Sequence, residues 1–174
     1  TEIDRDVDFV VRWVLESIGI EPPVPEADAD LLSNRFGDKL PSTRVFSEFA
    51  RERMQDCDPV ADPDHALMAW LETEERYFRA FERMLVEERL RKGFVIDDAV
   101  DVDGFIKFSL GVQNRRKSRA GYALENHLQH IFAACSLRCD RGVTTEGKSK
   151  PDFLFPGQAE YFDQTFPVDR LSIL

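Results

Sequence analysis

Residues 145–155 read Thr145-Glu146-Gly147-Lys148-Ser149-Lys150-Pro151-Asp152-Phe153-Leu154-Phe155. Gly147 and Pro151 punctuate this stretch, and Phe153-Leu154-Phe155 has the apolar, aromatic texture of a short buried strand. A carboxylate at the mouth of such a strand is costly unless it is paired or holds a cation. By itself Asp152 reads most simply as a turn residue. Its company changes the weighting. Lys148 and Lys150 flank the same turn, and Glu125 lies on an amphipathic segment upstream. Two carboxylates with lysines nearby are the set that metal-assisted phosphodiester hydrolysis needs. The carboxylates supply hard oxygen ligands for Mg²⁺, and the ion acidifies its water and offsets charge in the transition state. A lysine then steadies the developing charge.

Outward from this stretch, further β-like pieces occur at Leu137–Cys139, Val143–Thr145 and Leu171–Leu174, separated by Gly142, Gly147, Pro156 and Gly157. Everything before them has helical spacing. Val7, Val10, Val11, Val14, Leu15 and Ile18 mark a first helix, followed by a stiff linker over Glu21–Pro25. A second helix starts near Pro41-Ser42, carries Val45, Phe46, Phe49 and Met54, and breaks at Asp56–Pro59. Asp62-Pro63 caps a third helix. It keeps its spacing to Arg91-Lys92-Gly93, so it is either long or broken once. Its acidic residues Glu72, Glu74, Glu75, Glu82, Glu87 and Glu88 are expected to face solvent. Asp101–Asp103 caps a helix through Phe105, Phe108 and Leu110. Another amphipathic helix runs from Ala120 to Phe132. Helices first and a small sheet last is an α/β pattern rich in helix.

The net charge of −10 argues against a nucleic-acid partner only until it is divided. Residues 1–103 hold 13 Lys and Arg against 26 Asp and Glu, whereas residues 104–150 hold 9 against 3. The basic part centres on Arg115-Arg116-Lys117-Ser118-Arg119. At a helix start, such a cluster could grip a phosphodiester backbone with help from free backbone N–H groups. Equally, it could simply balance the acidic half. Cys57, Cys135 and Cys139 form no C-x-x-C pair, so neither a disulfide framework nor a zinc ribbon is indicated, and a reducing, cytoplasmic setting is expected. His127 and His130 match no compact zinc module; a core or surface role suits them better. Glu146-Gly147-Lys148 imitates an E-x-K triplet but precedes Pro151-Asp152, so it reads as a coincidence. No apolar run reaches membrane-spanning length, and no signal peptide is visible.

The segment Phe105–Leu128, with Arg115-Arg116-Lys117-Ser118-Arg119-Ala120-Gly121 followed by the helical Glu125, resembles the catalytic domain of EcoRII-type restriction endonucleases. So does Thr145–Pro156 with Lys150-Pro151-Asp152-Phe153, and Tyr161 nearby. Pro41-Ser42-Thr43, Phe46-Ser47-Glu48-Phe49 and the helix from Asp62 also fit, so the resemblance covers roughly residues 40–174. It implies a PD-(D/E)XK nuclease core, a mixed sheet flanked by helices, over 101–174, preceded by a helical N-terminal region over 1–100. It implies a type II restriction endonuclease, or its catalytic fragment, in which a homodimer cleaves double-stranded DNA at CC…GG-type sites with Mg²⁺. Position by position, Asp152 and Glu125 become the metal-holding carboxylates and Tyr161 a tyrosine near the reacting centre. Arg115, Arg116, Lys117 and Arg119 match a basic motif suited to backbone contacts, with Lys148 and Lys150 beside the catalytic turn.

The family's catalytic lysine follows Pro-Asp by about one strand-turn-strand unit, and a base-reading segment comes after it. Here both are expected beyond Leu174, and the initial Thr1 fits a fragment. Two other readings stand beside this one. One is a catalytically incomplete module of nuclease fold that binds DNA or dimerises. The other is an acidic helical protein that binds a basic partner.

Overall fold

A computed structural model describes residues 26–174. The helix expected over 5–18 and the linker at 21–25 lie outside those residues. The described chain opens with α1 (Glu26–Phe36), α2 (Thr43–Glu52) and α3 (Pro63–Lys92). A two-stranded hairpin follows, β1 (Val95–Ile96) and β2 (Ala99–Val100), and then α4 (Val102–Ala134). The C-terminal part holds β3 (Asp140–Arg141), β4 (Phe153–Phe155), the short α5 (Gln158–Phe162) and β5 (Ser172–Ile173).

The predicted caps are present. Ser42 accepts the Val45 N–H at 3.4 Å, Asp62 the His65 N–H at 3.1 Å and Asp101 the Gly104 N–H at 2.8 Å. Each satisfies a donor that the first helical turn cannot pair internally. Gly93, at φ +71°, ends α3 in a backbone conformation that side chains disfavour. α3 runs unbroken, and so does α4. The separate helices expected on either side of the basic cluster are one helix of 33 residues, because nothing from Arg115 to Ala120 breaks helical geometry and Gly111 and Gly121 are tolerated within it.

The helices share an aromatic core. Leu32 of α1, Phe46 and Phe49 of α2, and Tyr77, Phe78, Ala80 and Phe81 of α3 are all buried together. Phe36 stacks on Phe46 at 5.6 Å and meets Phe49 edge-on at 5.3 Å, geometries that favour the ring quadrupoles. A second cluster joins α3 to α4 through Ala66, Trp70 and Ile131.

The sheet has the order β3-β4-β5 and pairs antiparallel throughout. Arg141 faces Phe153, Asp140 faces Leu154, and Leu154 faces Ile173. Of the expected strands, Phe153–Phe155 stands as read. The last is confined to Ser172–Ile173, and the one at Leu137–Cys139 falls instead at Asp140–Arg141. Val143–Thr145 is a loop leading into a single 3₁₀ turn. The sheet meets α4 at Phe132, whose ring packs edge-on against Phe153 (5.2 Å) and Phe155 (5.0 Å). Among the described residues no strand pair is parallel, so the small sheet gives an α/β arrangement without the mixed sheet the resemblance implies. No described helix is long and apolar enough to cross a membrane.

Candidate active site and nucleic-acid interface

Three consecutive residues of α4 organise the site, and each reaches a different neighbour. Glu125 meets the sheet: Arg141 of β3 brings Nε to its Oε2 at 2.7 Å and Nη2 to the same oxygen at 2.5 Å. Arg141 Nη1 also donates to Asn126 Oδ1 at 2.7 Å, and Asn126 Nδ2 donates to the buried Ser47 hydroxyl of α2 at 3.0 Å. His127 is fully buried. It receives Arg51 Nη1 of α2 at Nδ1 (3.1 Å) and places Nε2 3.0 Å from Glu74 Oε2 of α3. A guanidinium can only donate, so Nδ1 is the acceptor and the ring proton sits on Nε2, facing Glu74 although off the line of an ideal hydrogen bond. His127 is thus a core histidine. Burial lowers the pKa of its neighbour His130, aided by the charge of Arg51.

Asp152 follows from this frame. Arg141 pairs with Phe153 across the β3–β4 ladder, so the arginine that holds Glu125 is in register with the residue after Asp152. Asp152 itself is exposed, and its backbone carbonyl accepts the Gly142 N–H. Glu125 thus reaches this strand pair through the Arg141 side chain, and Asp152 precedes the ladder partner of that arginine. No described hydrogen bond or ion pair joins the two carboxylates directly. Nor does any described group of three or more His, Cys, Asp or Glu converge as a metal cage.

Tyr161, at the end of α5, donates its hydroxyl to Glu146 Oε1 at 2.6 Å. That hydrogen bond lowers the pKa of Glu146 and, with it, raises that of Tyr161. The Glu146-Gly147-Lys148 triplet is thus the 3₁₀ turn against which Tyr161 rests. It is closed by the Thr145 N–H donating to Ser149 O at 2.9 Å. Lys148 and Lys150 stand exposed on the loop leading to Asp152.

The basic cluster divides. Arg115 and Lys117 are exposed; Arg115 borders a shallow cleft of about 430 Å³ with Lys39, Arg89 and Lys92. Arg116 reaches the buried Glu82 of α3, with Nε 2.5 Å from Oε2. Arg119 points inward: only 7% exposed, it lies 3.3 Å from Glu74 and over the rings of Phe46 (4.3 Å) and Phe78 (4.6 Å). Its guanidinium is engaged in the core. The cluster also sits mid-helix, so its backbone N–H groups are taken by the helix itself and are not available to phosphate. Likewise, Glu74 and Glu82 are buried at 2% and 0% exposure, in contrast to the solvent-facing positions expected for them. Arginines of α4 draw both acids inward. Sequence reading missed Arg141 and Asn126. A three-residue Glu125-Asn126-His127 run of polar side chains on an otherwise amphipathic helix was the signal available.

A family model described as EcoRII C terminal matches residues 78–174, more than half of the chain and all of the site from Arg115 to Tyr161. The type II restriction enzyme EcoRII of Escherichia coli is 44% identical over 114 residues, which is 65% of this chain and 27% of that enzyme. The chain thus spans a little over a quarter of the length of the curated relative it matches. By the extent of the family match, this chain belongs to the EcoRII C-terminal family.

Proposed function

We propose that the chain is catalytic material of a type II restriction endonuclease that hydrolyses phosphodiester bonds of double-stranded DNA at CC…GG-type sites. The observation that carries the reading is the family match over residues 78–174, which spans Glu125, Asp152 and Tyr161 together. On this reading the helices and small sheet belong to a PD-(D/E)XK core, and two copies act as a homodimer, one on each strand.

The donor set fits Mg²⁺ in its chemistry. Asp152 is exposed, and Glu125 is partly exposed, with the Arg141 contacts at its Oε2. Mg²⁺ is commonly held by one or two carboxylates and completes its shell with water. Glu125 and Asp152 would hold it, and when bound it supplies an acidified water and neutralises charge on the transferring phosphorus. Lys148 and Lys150 lie on the approach to Asp152 and attract the phosphate. Arg115 and Lys117 add backbone contacts along the exposed side of α4. Tyr161 is steadied by Glu146 at the edge of the same loop.

The test compares the chain extended past Leu174, so that it carries the family's lysine, with its Asp152→Ala variant on plasmid DNA carrying CC(A/T)GG and CC(G/C)GG sites. The expected result is discrete cutting in Mg²⁺ but not Ca²⁺, abolished by Asp152→Ala while binding in Ca²⁺ is largely kept. Loss of cutting and binding together would make Asp152 a structural residue. Binding without any cutting would point to a DNA-binding module instead.

A further inference from the structure

The arrangement around Glu125 carries a consequence for how its carboxylate becomes available. We propose that Arg141 is a charge latch on Glu125, occupying the carboxylate in the metal-free chain and leaving it when a divalent cation binds there. The inference rests on the reading of Glu125 as a metal ligand.

Two observations support it. Both guanidinium contacts go to the single oxygen Oε2, at 2.7 and 2.5 Å. A purely structural Arg–carboxylate pair favours the parallel fork that uses both oxygens. The pair is also neither open surface nor sealed core, with side chains 22% and 21% exposed. It is desolvated enough for the charges to matter and open enough for an ion to enter.

Arg141 has somewhere to remain once it lets go. Nη1 is held independently by Asn126 Oδ1, and Asn126 is tied in turn to Ser47. Ser47 is fully buried, and its hydroxyl donates to the Thr43 carbonyl at 2.8 Å. The guanidinium can therefore leave Oε2 by turning about a fixed point. That tether makes the exchange reversible and keeps the arginine beside the site, where a DNA phosphate is a strong alternative acceptor. While Arg141 stays against Glu125, its charge repels any cation approaching the same carboxylate. With a doubly charged ion a few ångströms away, this weakens binding by at least about tenfold even at a water-like dielectric.

The experiment measures Mn²⁺ binding by calorimetry on the unmodified chain and on Arg141→Gln, Glu125→Gln and the double variant. Circular dichroism confirms that each is folded. The expected result is that Arg141→Gln binds Mn²⁺ at least about tenfold more tightly, and that adding Glu125→Gln removes the gain. Equal or weaker binding by Arg141→Gln overturns the latch. If Glu125→Gln alone still weakens binding in that case, the reading of Glu125 as a ligand stands. If Arg141→Gln gains affinity and Glu125→Gln does not remove it, the ion binds elsewhere and both readings fall.

A second measurement needs no variant. Mg²⁺ titrated into the unmodified chain must shift the Arg141 Nε–H resonance as the hydrogen bond to Glu125 is released. A resonance unchanged through saturation overturns the proposal.

Discussion

Glu74 shows how much a single side chain can organise. It is 2% exposed, yet it faces Arg119 and His127 across the α3–α4 contact. Removing one partner of a buried pair leaves the other charge without compensation, so Glu74→Ala is expected to cost about 3–5 kcal/mol in urea unfolding. Replacing both members with apolar residues, Glu74→Leu with Arg119→Met, is expected to return most of that loss. Tyr161 and Glu146 make a smaller, exposed bond whose pH window can be worked out. The Glu146 pKa is depressed, so its contribution is present above the ordinary carboxylate range and fades as pH falls through the lowered value. The Tyr161 pKa is raised, so its contribution is full below the ordinary phenol value and fades as pH rises through the higher one. Ultraviolet titration of the tyrosines should therefore find one phenol above 10, and Glu146→Gln should bring it back toward that ordinary value.

Among the elements, α4 is anchored by its cap and weakened by two of its glycines. At Gly121 and Gly111 an added Cβ meets nothing within 4 Å. Gly121→Ala should therefore stabilise the chain by about 0.5–1 kcal/mol, read from the denaturation midpoint. Gly104→Ala should do the reverse. Its Cβ would fall 1.9 Å from Asp101 Oδ2, the side chain that caps the helix, and displacing that carboxylate costs about 1 kcal/mol. Elements of this kind were the most legible part of the sequence. Ser42, Asp62 and Asp101 announce helix starts because only short polar side chains reach back to unpaired N–H groups. The inward turn of Arg119 and the burial of Glu74 and Glu82 were not legible. Helical spacing places charges on a face but does not say whether another helix brings the opposite charge to it. For the same reason Arg141 went unnoticed, since its role depends on a strand register that only tertiary pairing sets. Of the strands, Phe153–Phe155 was legible because its residues are apolar and aromatic, whereas the two-residue strands at Asp140–Arg141 and Ser172–Ile173 are too short to carry a pattern.

At the scale of the molecule, the sheet hangs on the helical body through few side chains, chief among them Phe132 against Phe153 and Phe155. Phe132 is half-buried, so Phe132→Ala should cost somewhat less than the roughly 3–5 kcal/mol of a fully buried ring. Hydrogen exchange should show the loss in residues 140–173, with α3 still protected. Glu125, Asn126 and His127 make the opposite kind of attachment. Successive residues of an α-helix point about 100° apart, so these three cover roughly 200° of the circumference. β3, α2 and α3 grip α4 across that arc at one level. There the helix is a shaft seated in a collar. Its far end, by the hairpin that exposes Val95, Ile96 and Val100, rests on Phe94 through the rings of Phe105 and Phe108. The same shaft is keyed a second time upstream, where Arg116 and Arg119 sit against the buried Glu82 and Glu74. One residue added between Arg119 and Glu125 would set the two levels about 100° out of phase, so that either the carboxylate leaves the sheet or the arginines leave their buried acids.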